Sequence, residues 1–528
     1  MARGHECVPP VKRAKPLLHP APRWTPLPGR TYIALNETAV TGQLTSNNPF
    51  MSELPNTNRP HIDARAFIAR AREVLGAEAV LADRASCALY ERDALGRSGH
   101  ALAVLLPAST AQTVDTMNLC AQFNVSIVPQ AGNTGLVGAS TPDESAQQVV
   151  LSVRRMDAIE GVNVLNRSIS VGAGVRMSEL KRHLAAAGMW FPFEIAADPC
   201  VGGMIASNTG GSHLTRYGDV RASVLGIEAV LADGTVVDSL KALRKDNTGF
   251  DCKQLFIGSG GTLGVITRAV LAVHPKPLTR VSAFVVPHSH AAVPALLQRL
   301  EARYGELLTT FEGMSGEAIR HAYNTFPHLH RLFGDAEIPH YAVLVELASS
   351  CEFHAESLAA DVRASLARSV DESLAQTALT ADPQEYWKLR DAIPLALMKA
   401  RQMMSLDVSF PRSELVRFRA AVEQLLRTQH PQVVLADFGH FADGGDHLTV
   451  VIPDHCATRY PPLRMLRLRG QLYDLVATHG GSYSAEHGIG PLNESVYRRH
   501  SPPVTRRLHG ALKQLLDPTR RLGRGRFS

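Results

Sequence analysis

The chain has 528 residues, which is too long for one ordinary domain and predicts two to four of them. Its 45% hydrophobic and 20% charged residues are typical of a globular protein, and no apolar run reaches the roughly 18 residues of a membrane-spanning helix. The formal net charge is only +6, and no basic block carries interleaved aromatic residues, so nucleic-acid binding is not indicated.

Residues 1–55 differ from the rest of the sequence. The first thirty are rich in proline and basic residues, show no helical or strand period, and lack the apolar core of a secretory signal. Met51 then opens a stretch that reads as an ordinary protein start. We therefore interpret 1–55 as a disordered N-terminal extension or an over-extended translation start. A transit peptide is a third reading, which the lack of amphipathic or serine-rich character disfavours.

The seven cysteines are scattered, odd in number and free of CxxC pairs, which favours a reducing compartment over a disulfide framework. We expect a cytoplasmic homodimer. The C-terminal stretch 515–527 is rich in arginine, which leaves contact with an anionic partner or with the periphery of an inner membrane open.

Up to about residue 277 the pattern predicts helices and short buried strands in mixed order. Apolar residues at helical spacing predict a helix over 63–75, which Gly76 ends. A strand within 101–110 leads into a helix over 111–124, with Ser109 or Thr110 as its N-cap. The remaining predicted elements are strands at 125–129, 148–153, 168–174 and 264–275, a helix at 177–188, and a hairpin with an Asp-Gly turn at 224–238.

Beyond Pro275 the pattern changes to long helices mixed with strands. The clearest of these elements are helices at 291–303 and 413–428 and strands at 341–348 and 447–453. No internal repeat or heptad array is visible. We therefore predict an α+β domain that ends near residue 277 and a second α+β domain after it.

Three segments between residues 128 and 267 are unusually rich in glycine. They are 128–140, 198–220 and 246–267, and each ends a strand or opens a helix. Glycine lets backbone N–H groups approach and hold a phosphate without side-chain hindrance. One such loop would more often be an ordinary turn, but three of them favour a phosphate-bearing ligand. None fits GxGxxG followed by an acidic residue about 20 positions later, or GxxxxGK[ST], so neither a nicotinamide site nor a P-loop is indicated.

These segments closely resemble the FAD-binding domain of the vanillyl-alcohol-oxidase/PCMH flavoprotein superfamily. From about Ala85, and including YERDALG, the chain is similar to the D-lactate and D-2-hydroxyglutarate dehydrogenase group, which also includes the glycolate oxidase D subunit. The resemblance implies an α+β fold in which a PCMH-type FAD-binding domain of two α/β subdomains occupies 56–277. A substrate (cap) domain with an antiparallel sheet and a metal site would follow over 278–490, and 491–528 would return to the FAD domain.

The resemblance also implies which residues surround the FAD. The pyrophosphate would be wrapped by Gln130, Gly132, Asn133, Thr134, Gly135, Gly138 and Ser140. The flavin and ribityl chain would be lined by Gly202, Gly203, Ala206, Ser207, Gly210, Gly218 and Asp219, and the adenosine half by Gly261, Thr262, Gly264, Val265 and Ile266. Ala131 and Gly260 stand where the family usually has glycine and glutamate. No motif indicates a covalent bond between a histidine side chain and the flavin, so we expect dissociable FAD.

A second constellation lies in the C-terminal half. His440 and His447 are seven residues apart across a glycine turn, and Glu486 is followed directly by His487 in a glycine-rich stretch. Two histidines and a carboxylate can bind a divalent cation such as Zn²⁺ or Mn²⁺, although spacing alone more often means surface or hydrogen-bonded histidines. The family pairs a GHxxDGxxH segment with an EHGIG segment. The resemblance therefore implies that His440, His447 and Glu486 are metal ligands and that His487 is the catalytic base.

This assignment agrees with the chemistry of oxidising a 2-hydroxy acid. The reaction removes the hydroxyl proton and transfers the Cα hydrogen to the flavin as hydride. A metal bound to the hydroxyl lowers its pKa, and a neutral histidine, with an unperturbed pKa of about 6.5, is suited to take the proton. The flavin supplies the redox chemistry and the protein supplies placement.

The substrate carboxylate also needs a cation. Arg390 lies on a predicted helix, and family members have an arginine there; a guanidinium binds a carboxylate through two parallel hydrogen bonds. A surface arginine paired with Asp391 or Glu385 fits the sequence alone equally well. Ser405 stands where hydroxyglutarate-oxidising relatives carry lysine, Pro394 where they often have a hydroxyl residue, and Thr449 where they often have asparagine. The missing lysine argues against assuming hydroxyglutarate and leaves a shorter or more apolar D-2-hydroxy acid open.

The leading hypothesis is therefore an FAD- and metal-dependent D-2-hydroxy-acid dehydrogenase, whose electrons pass to an electron-transfer flavoprotein or a quinone rather than to NAD. The substrate would be D-lactate-like or D-2-hydroxyglutarate-like. Three alternatives stay open: a flavin transferase resembling alkyl-dihydroxyacetone-phosphate synthase, an FAD-binding subunit of a larger glycolate-oxidase-like complex, and a flavin-free metallohydrolase.

Overall fold

The computed structural model describes residues 62–334, 336–354, 357–379 and 383–525, and the extension predicted at 1–55 lies outside them. In the N-terminal part the helices are α1 Ala64–Leu75, α2 Arg84–Glu91, α3 Thr110–Gln122, α4 Met177–Ala186, α5 Val201–Ser207, α6 Leu214–Tyr217 and α7 Val220–Ser223. The strands are β1 Val80–Leu81, β2 Ala101–Leu105, β3 Ser126–Gln130, β4 Gln148–Ser152, β5 Ser168–Gly172, β6 Met189–Trp190, β7 Val224–Val230, β8 Val236–Ser239, β9 Val265–Ala272 and β10 His274–Pro275.

Capping side chains begin two of these helices where the sequence predicts. Asp63 accepts a hydrogen bond from the backbone N–H of Ala66, and Ser109 accepts one from Gln112, so each satisfies a donor in the first helical turn. Gly76 follows the last residue of α1, as predicted.

The N-terminal strands form two four-stranded sheets. In the order β1-β2-β4-β3, β4 pairs in parallel with both β2 and β3, and the buried residues Val149, Val150 and Leu151 give the continuous apolar run that a parallel strand needs. The second sheet, β5-β9-β7-β8, is antiparallel and contains the predicted hairpin of β7 and β8. One hydrophobic core joins the two sheets and the helices packed on them, in agreement with the predicted mixture of helices and sheets.

The C-terminal part is built on one eight-stranded antiparallel sheet. Its strands are β11 Thr279–Pro287, β12 Leu308–Ser315, β13 Tyr341–Ser349, β14 Ala375–Leu379, β15 Met403–Ser409, β16 Val434–Leu435, β17 Phe438–Gly439 and β18 Gly445–Val451. The order is β14-β11-β13-β12-β17-β18-β15, with β16 also paired to β18. The helices are α8 Val293–Tyr304, α9 Gly316–Thr325, α10 Leu358–Asp371, α11 Pro383–Leu397, α12 Leu415–Gln429, α13 Pro462–Thr478, α14 Glu494–His500 and α15 Pro503–Leu516.

Helices cover both faces of this sheet. Along β13, Val343 and Val345 pack with α8, α10, α12 and α13, whereas Ala342 and Leu344 pack with α9 and α11. Alternate residues of a strand point to opposite faces, so side chains two positions apart on a strand share a face of the sheet. The face beneath α11 is the one that carries the candidate site.

The chain end contacts the first sheet. The backbone N–H of Ile127 on β3 donates to the carbonyl of Arg521 at 2.8 Å, and that of Gly523 donates back to Ile127 at 2.9 Å. The Lys513 ammonium donates to the carbonyl of Thr262 at 2.6 Å. Across the described residues, no helix has the length and apolar character that spanning a bilayer requires.

Candidate active site

The first glycine-rich segment leaves the end of β3 as a loop that is fixed by its own side chains. The Gln130 amide donates to the carbonyls of Tyr90, at 2.8 Å, and Ser140, at 2.7 Å. Asn133 donates to the Arg92 carbonyl at 2.7 Å and accepts from the Ser140 hydroxyl at 2.9 Å. Gln130, Asn133 and Ser140 therefore fix the loop within the protein, and among their polar atoms the buried Oε1 of Gln130 has no hydrogen-bond partner.

The backbone of this loop fits a pyrophosphate. Within 131–139, all of it described, no backbone N–H donates to another backbone carbonyl, so a run of donors is left for a ligand. Asn133 and Gly138 have positive φ values of 57° and 71°, the left-handed backbone that occurs in anion-binding nests. At Gly135 a Cβ would meet nothing nearer than the Ser140 hydroxyl, at 4.0 Å.

The three glycine-rich segments meet around the end of β3. A Cβ at Gly203 would lie 3.1 Å from that of Ala131, and one at Gly261 would lie 3.1 Å from that of Pro129. The third segment is bonded to the second, because Gly260 N–H donates to the Ala206 carbonyl at 2.8 Å. The structure thus brings the three segments together. The predicted residues farther along them are Gly202 and Ser207 in α5, Gly210 after it, Gly218 and Asp219 before α7, Thr262 and Gly264 before β9, and Val265 and Ile266 in β9.

The histidines of the C-terminal part converge on one carboxylate oxygen. Oε1 of Glu486 lies 3.8 Å from Nε2 of His440 and 3.5 Å from Nε2 of His447. It also lies 3.7 Å from Nε2 of His487. The backbone bend at 486–487 therefore turns adjacent side chains toward the same point, rather than toward opposite faces as in an extended strand.

Asp407, which the sequence did not indicate, holds this bend in place. Its Oδ2 accepts the backbone N–H groups of Glu486, at 2.9 Å, and His487, at 2.8 Å. Its Oδ1 is buried without a hydrogen-bond partner and lies 3.8 Å from Nδ1 of His447. Asp407, His447, Glu486 and His487 each offer a ligand atom within 4.8 Å of the others.

A second buried carboxylate, Glu312 on β12, was also missed. Its Oε1 accepts from Nδ1 of His440, and its Oε2 accepts from Nε of Arg390 at 2.8 Å. Arg390 is 7% exposed on α11, and its guanidinium lies 5.2 Å from the ring centre of Phe438. The reading of Arg390 as a surface residue paired with Asp391 or Glu385 is therefore wrong.

The cluster suits a divalent cation. Burial opposes ionisation of Glu486, but the contact with His440 holds its pKa well below the ordinary value. Burial also opposes protonation of His440, but the Glu312 carboxylate beside it raises the pKa of His440 well above the ordinary value. Burial lowers the pKa of His447 to about 4, so its imidazole is neutral and keeps a lone pair for a metal. Glu312, Asp407 and Glu486 surround the histidines with carboxylates, and this mixture of imidazole and carboxylate donors fits Zn²⁺ or Mn²⁺.

The histidine cluster and the glycine-rich loops are in contact. A Cβ at Gly210 would lie 3.0 Å from Oε2 of Glu486. Gly490, at φ 49°, approaches the first loop so closely that a Cβ there would lie 2.4 Å from the carbonyl oxygen of Val137. The glycine at 490 is therefore required by both its backbone angle and its neighbour.

The residues predicted to face the substrate lie beside the cluster. On β15 and β18, Ser405 pairs with Thr449 two positions from the pair of Asp407 and His447, so both pairs share a face of the sheet. The hydroxyls of Ser405 and Thr449 are 2.9 Å apart. Pro394 lies within α11, one turn beyond Arg390.

Two family models match the chain. One is the FAD binding domain, over residues 101–239, and the other is the C-terminal domain of FAD linked oxidases, over 276–527. The D-2-hydroxyglutarate dehydrogenase, mitochondrial, of Bos taurus is 34% identical over 427 residues, which cover 80% of this chain and 75% of that protein. The chain belongs to the FAD-linked oxidases of the D-2-hydroxyglutarate and D-lactate dehydrogenase group.

Other relatives in this FAD-linked oxidase group have similar coverage. A probable D-2-hydroxyglutarate dehydrogenase of Oryza sativa subsp. japonica is 32% identical, covering 85% of this chain and 79% of its own. A putative D-lactate dehydrogenase of Schizosaccharomyces pombe is 33% identical, covering 78% and 79%. The predicted family is confirmed.

Solved structures confirm the fold. p-Cresol methylhydroxylase superposes with a TM-score of 0.66 at 17% identity, covering 86% of this chain and 95% of its own. An alkyldihydroxyacetonephosphate synthase superposes with a TM-score of 0.65 at 16% identity, covering 87% and 85%. At such identity the likeness concerns the fold alone, so the synthase gives no support to the transferase alternative.

Proposed function

We propose that this FAD-linked oxidase catalyses the metal-dependent oxidation of a D-2-hydroxy acid, D-lactate-like or D-2-hydroxyglutarate-like, to the 2-oxo acid. The observation that carries the proposal is the convergence of His440, His447 and His487 on Glu486, in contact with glycine-rich loops suited to FAD. The names of the relatives supply the substrate class.

The chain's own residues would divide the work as follows. His440, His447 and Glu486 would hold a divalent cation, and the open backbone donors at 131–139 would hold the pyrophosphate of FAD. When bound, FAD would supply the acceptor for the Cα hydrogen, and a cation would supply the charge that acidifies the substrate hydroxyl. His487 would take the hydroxyl proton at Nε2, the nitrogen that faces the cluster.

Arg390 would orient the substrate carboxylate. Glu312 occupies only its Nε, so the two terminal nitrogens of the guanidinium stay available for a bidentate carboxylate. Because Arg390 lies over the same sheet face as His447, a carboxylate bound there would place the neighbouring hydroxyl toward the histidines. This positioning, rather than a large binding energy, is the contribution expected from the arginine.

The hydroxyl pair of Ser405 and Thr449 would meet the distal end of the substrate. We predict that Ser405→Lys raises the preference for D-2-hydroxyglutarate over D-lactate about tenfold in kcat/KM, which corresponds to about 1.4 kcal/mol, because an ammonium would face the second carboxylate. The comparison variant is Ser405→Met, which adds similar length without charge. Equal shifts in both variants would mean that charge at this position does not select the substrate.

Other aspects of the proposal concern location and organisation. We propose that electrons leave the flavin for an electron-transfer flavoprotein or a quinone, and that the domains follow 56–277, 278–490 and 491–528. The homodimer and the cytoplasmic location stay predictions, and the names of several relatives place those proteins in mitochondria.

The test is an anaerobic titration of the FAD-loaded protein with D-2-hydroxy acids. Absorbance of oxidised flavin should disappear with D-lactate or D-2-hydroxyglutarate and survive the L enantiomers. A flavin that stays oxidised with every acid refutes the proposal, and a purified protein that neither shows flavin absorbance nor takes up added FAD would favour the metallohydrolase.

A further inference from the structure

Glu312 contacts two functional side chains that come from different elements. It lies on β12 and is 1% exposed, while His440 follows β17 and Arg390 belongs to α11. Oε1 accepts from His440 Nδ1 and Oε2 accepts from Arg390 Nε. Each carboxylate oxygen thus accepts a hydrogen bond from one neighbour. Because the carboxylate is buried, water cannot replace either neighbour as the donor.

The contact with His440 determines which ring nitrogen faces the cluster. A histidine that donates from Nδ1 to a carboxylate turns its other ring nitrogen, Nε2, away from that carboxylate, and such partners orient metal-binding histidines. Nε2 of His440 is the atom that faces Glu486, at 3.8 Å. His447 and His487 turn Nδ1 toward Asp407 instead, at 3.8 Å and 3.7 Å, so Glu312 serves His440 alone among the three.

The contact with Arg390 determines the plane of the guanidinium. Nε donates to Glu312 at 2.8 Å, and the Phe438 ring lies on the guanidinium at 5.2 Å. A planar group held at one edge and one face has a fixed orientation, which is what bidentate binding of a carboxylate needs.

We propose that Glu312 is a shared positioning residue that couples the orientation of His440 to that of Arg390. It touches neither substrate nor cation, and it sets the angle between the site for the substrate hydroxyl and the site for the substrate carboxylate. The inference rests on the proposed function, because it takes His440 as a metal ligand and Arg390 as the carboxylate anchor.

The test variant is Glu312→Gln in the FAD-loaded protein. A glutamine has the same size but only one acceptor oxygen, so it satisfies one neighbour and turns its NH₂ toward the other. We expect the affinity for Mn²⁺, measured by calorimetry without substrate, to fall at least tenfold. We also expect the acid concentration for half-maximal anaerobic flavin reduction to rise at least tenfold.

The matched control is Glu346→Gln. Glu346 is also 1% exposed, lies on the neighbouring strand β13 and contacts a histidine, His213, at 3.2 Å, but it touches none of the cluster residues. Its substitution should leave Mn²⁺ affinity within twofold. A comparable loss in both variants would assign the effect to general destabilisation and overturn the inference.

A reciprocal variant keeps the test independent of whether Glu312→Gln folds. Arg390→Gln removes a side chain that contacts no predicted metal ligand, although its charge acts on Glu486. Coupling through Glu312 requires this substitution to change Mn²⁺ affinity by at least threefold in the unmodified protein and by less than twofold in the Glu312→Gln protein. Unchanged Mn²⁺ affinity in Arg390→Gln, or loss of only one of the two quantities in Glu312→Gln, refutes the coupling. If the unmodified protein neither binds Mn²⁺ nor reduces its flavin with any acid, the proposed function itself fails.

Discussion

Replacing His487 with asparagine is expected to slow flavin reduction by the substrate by about 10²–10⁴-fold, the usual contribution of a general base. The FAD and the cation should stay bound, because Nε2 of His487 is the candidate proton acceptor, whereas His440, His447 and Glu486 supply the ligands. Stopped-flow absorbance of the anaerobic flavin gives the rate, and metal analysis of the same sample gives the occupancy.

The control for this variant is His500→Asn, a histidine on α14 outside the cluster, which should reduce its flavin at the unmodified rate. A His487→Asn protein that loses its metal would show that His487 is a ligand. A His487→Asn protein that keeps its metal and reduces its flavin at the full rate would show that His487 takes no part in the reaction.

Replacing Asp407 with alanine should affect stability and metal binding together. The partly buried backbone N–H groups of Glu486 and His487 would lose their acceptor, which costs about 1–3 kcal/mol of unfolding free energy for the two together. The bend that gathers Glu486 and His487 would relax, so we expect metal affinity and activity to fall by at least 10²-fold. Denaturant unfolding and calorimetry with Mn²⁺ measure the two effects.

Asparagine at position 407 separates the two roles. Its carbonyl oxygen can accept the same N–H groups, so most of the stability should return. Asparagine does not restore the negative charge that faces Nδ1 of His447 and His487, so we expect the metal affinity to stay low. Recovery of both properties would mean that Asp407 acts only through the two backbone hydrogen bonds.

Local features were predictable because they depend on neighbouring residues. The N-cap at Ser109, the end of α1 at Gly76 and the hairpin of β7 and β8 follow from short-range hydrogen bonding and turn chemistry. The glycine-rich loops were recognisable because a backbone that approaches a phosphate closely needs glycine, and a high glycine content is visible in the sequence.

Glu312 and Asp407 were not predictable because each acts across the sheet. Glu312 is 78 residues from Arg390 and 128 from His440, and Asp407 is 79 from Glu486. Both lie within ordinary strand sequences, where the one available signal is a carboxylate at an otherwise apolar position. In β15, Asp407 stands between the buried residues Leu406 and Val408, and such a charge needs partners that only the folded chain supplies. The burial of Arg390 could not be predicted either, because it also depends on partners that only the folded chain supplies.

The central claim is that hydride transfer from a D-2-hydroxy acid to the flavin depends on the cation held at the histidine cluster. The most direct measurement is anaerobic flavin absorbance on addition of D-lactate or D-2-hydroxyglutarate, before chelation, after chelation, and after Mn²⁺ or Zn²⁺ is restored. We predict rapid bleaching before chelation. After chelation the rate should be at least 10²-fold lower while FAD stays bound, and it should recover once the metal is restored. Bleaching at the same rate in all three states, or no bleaching in any of them, would contradict the claim.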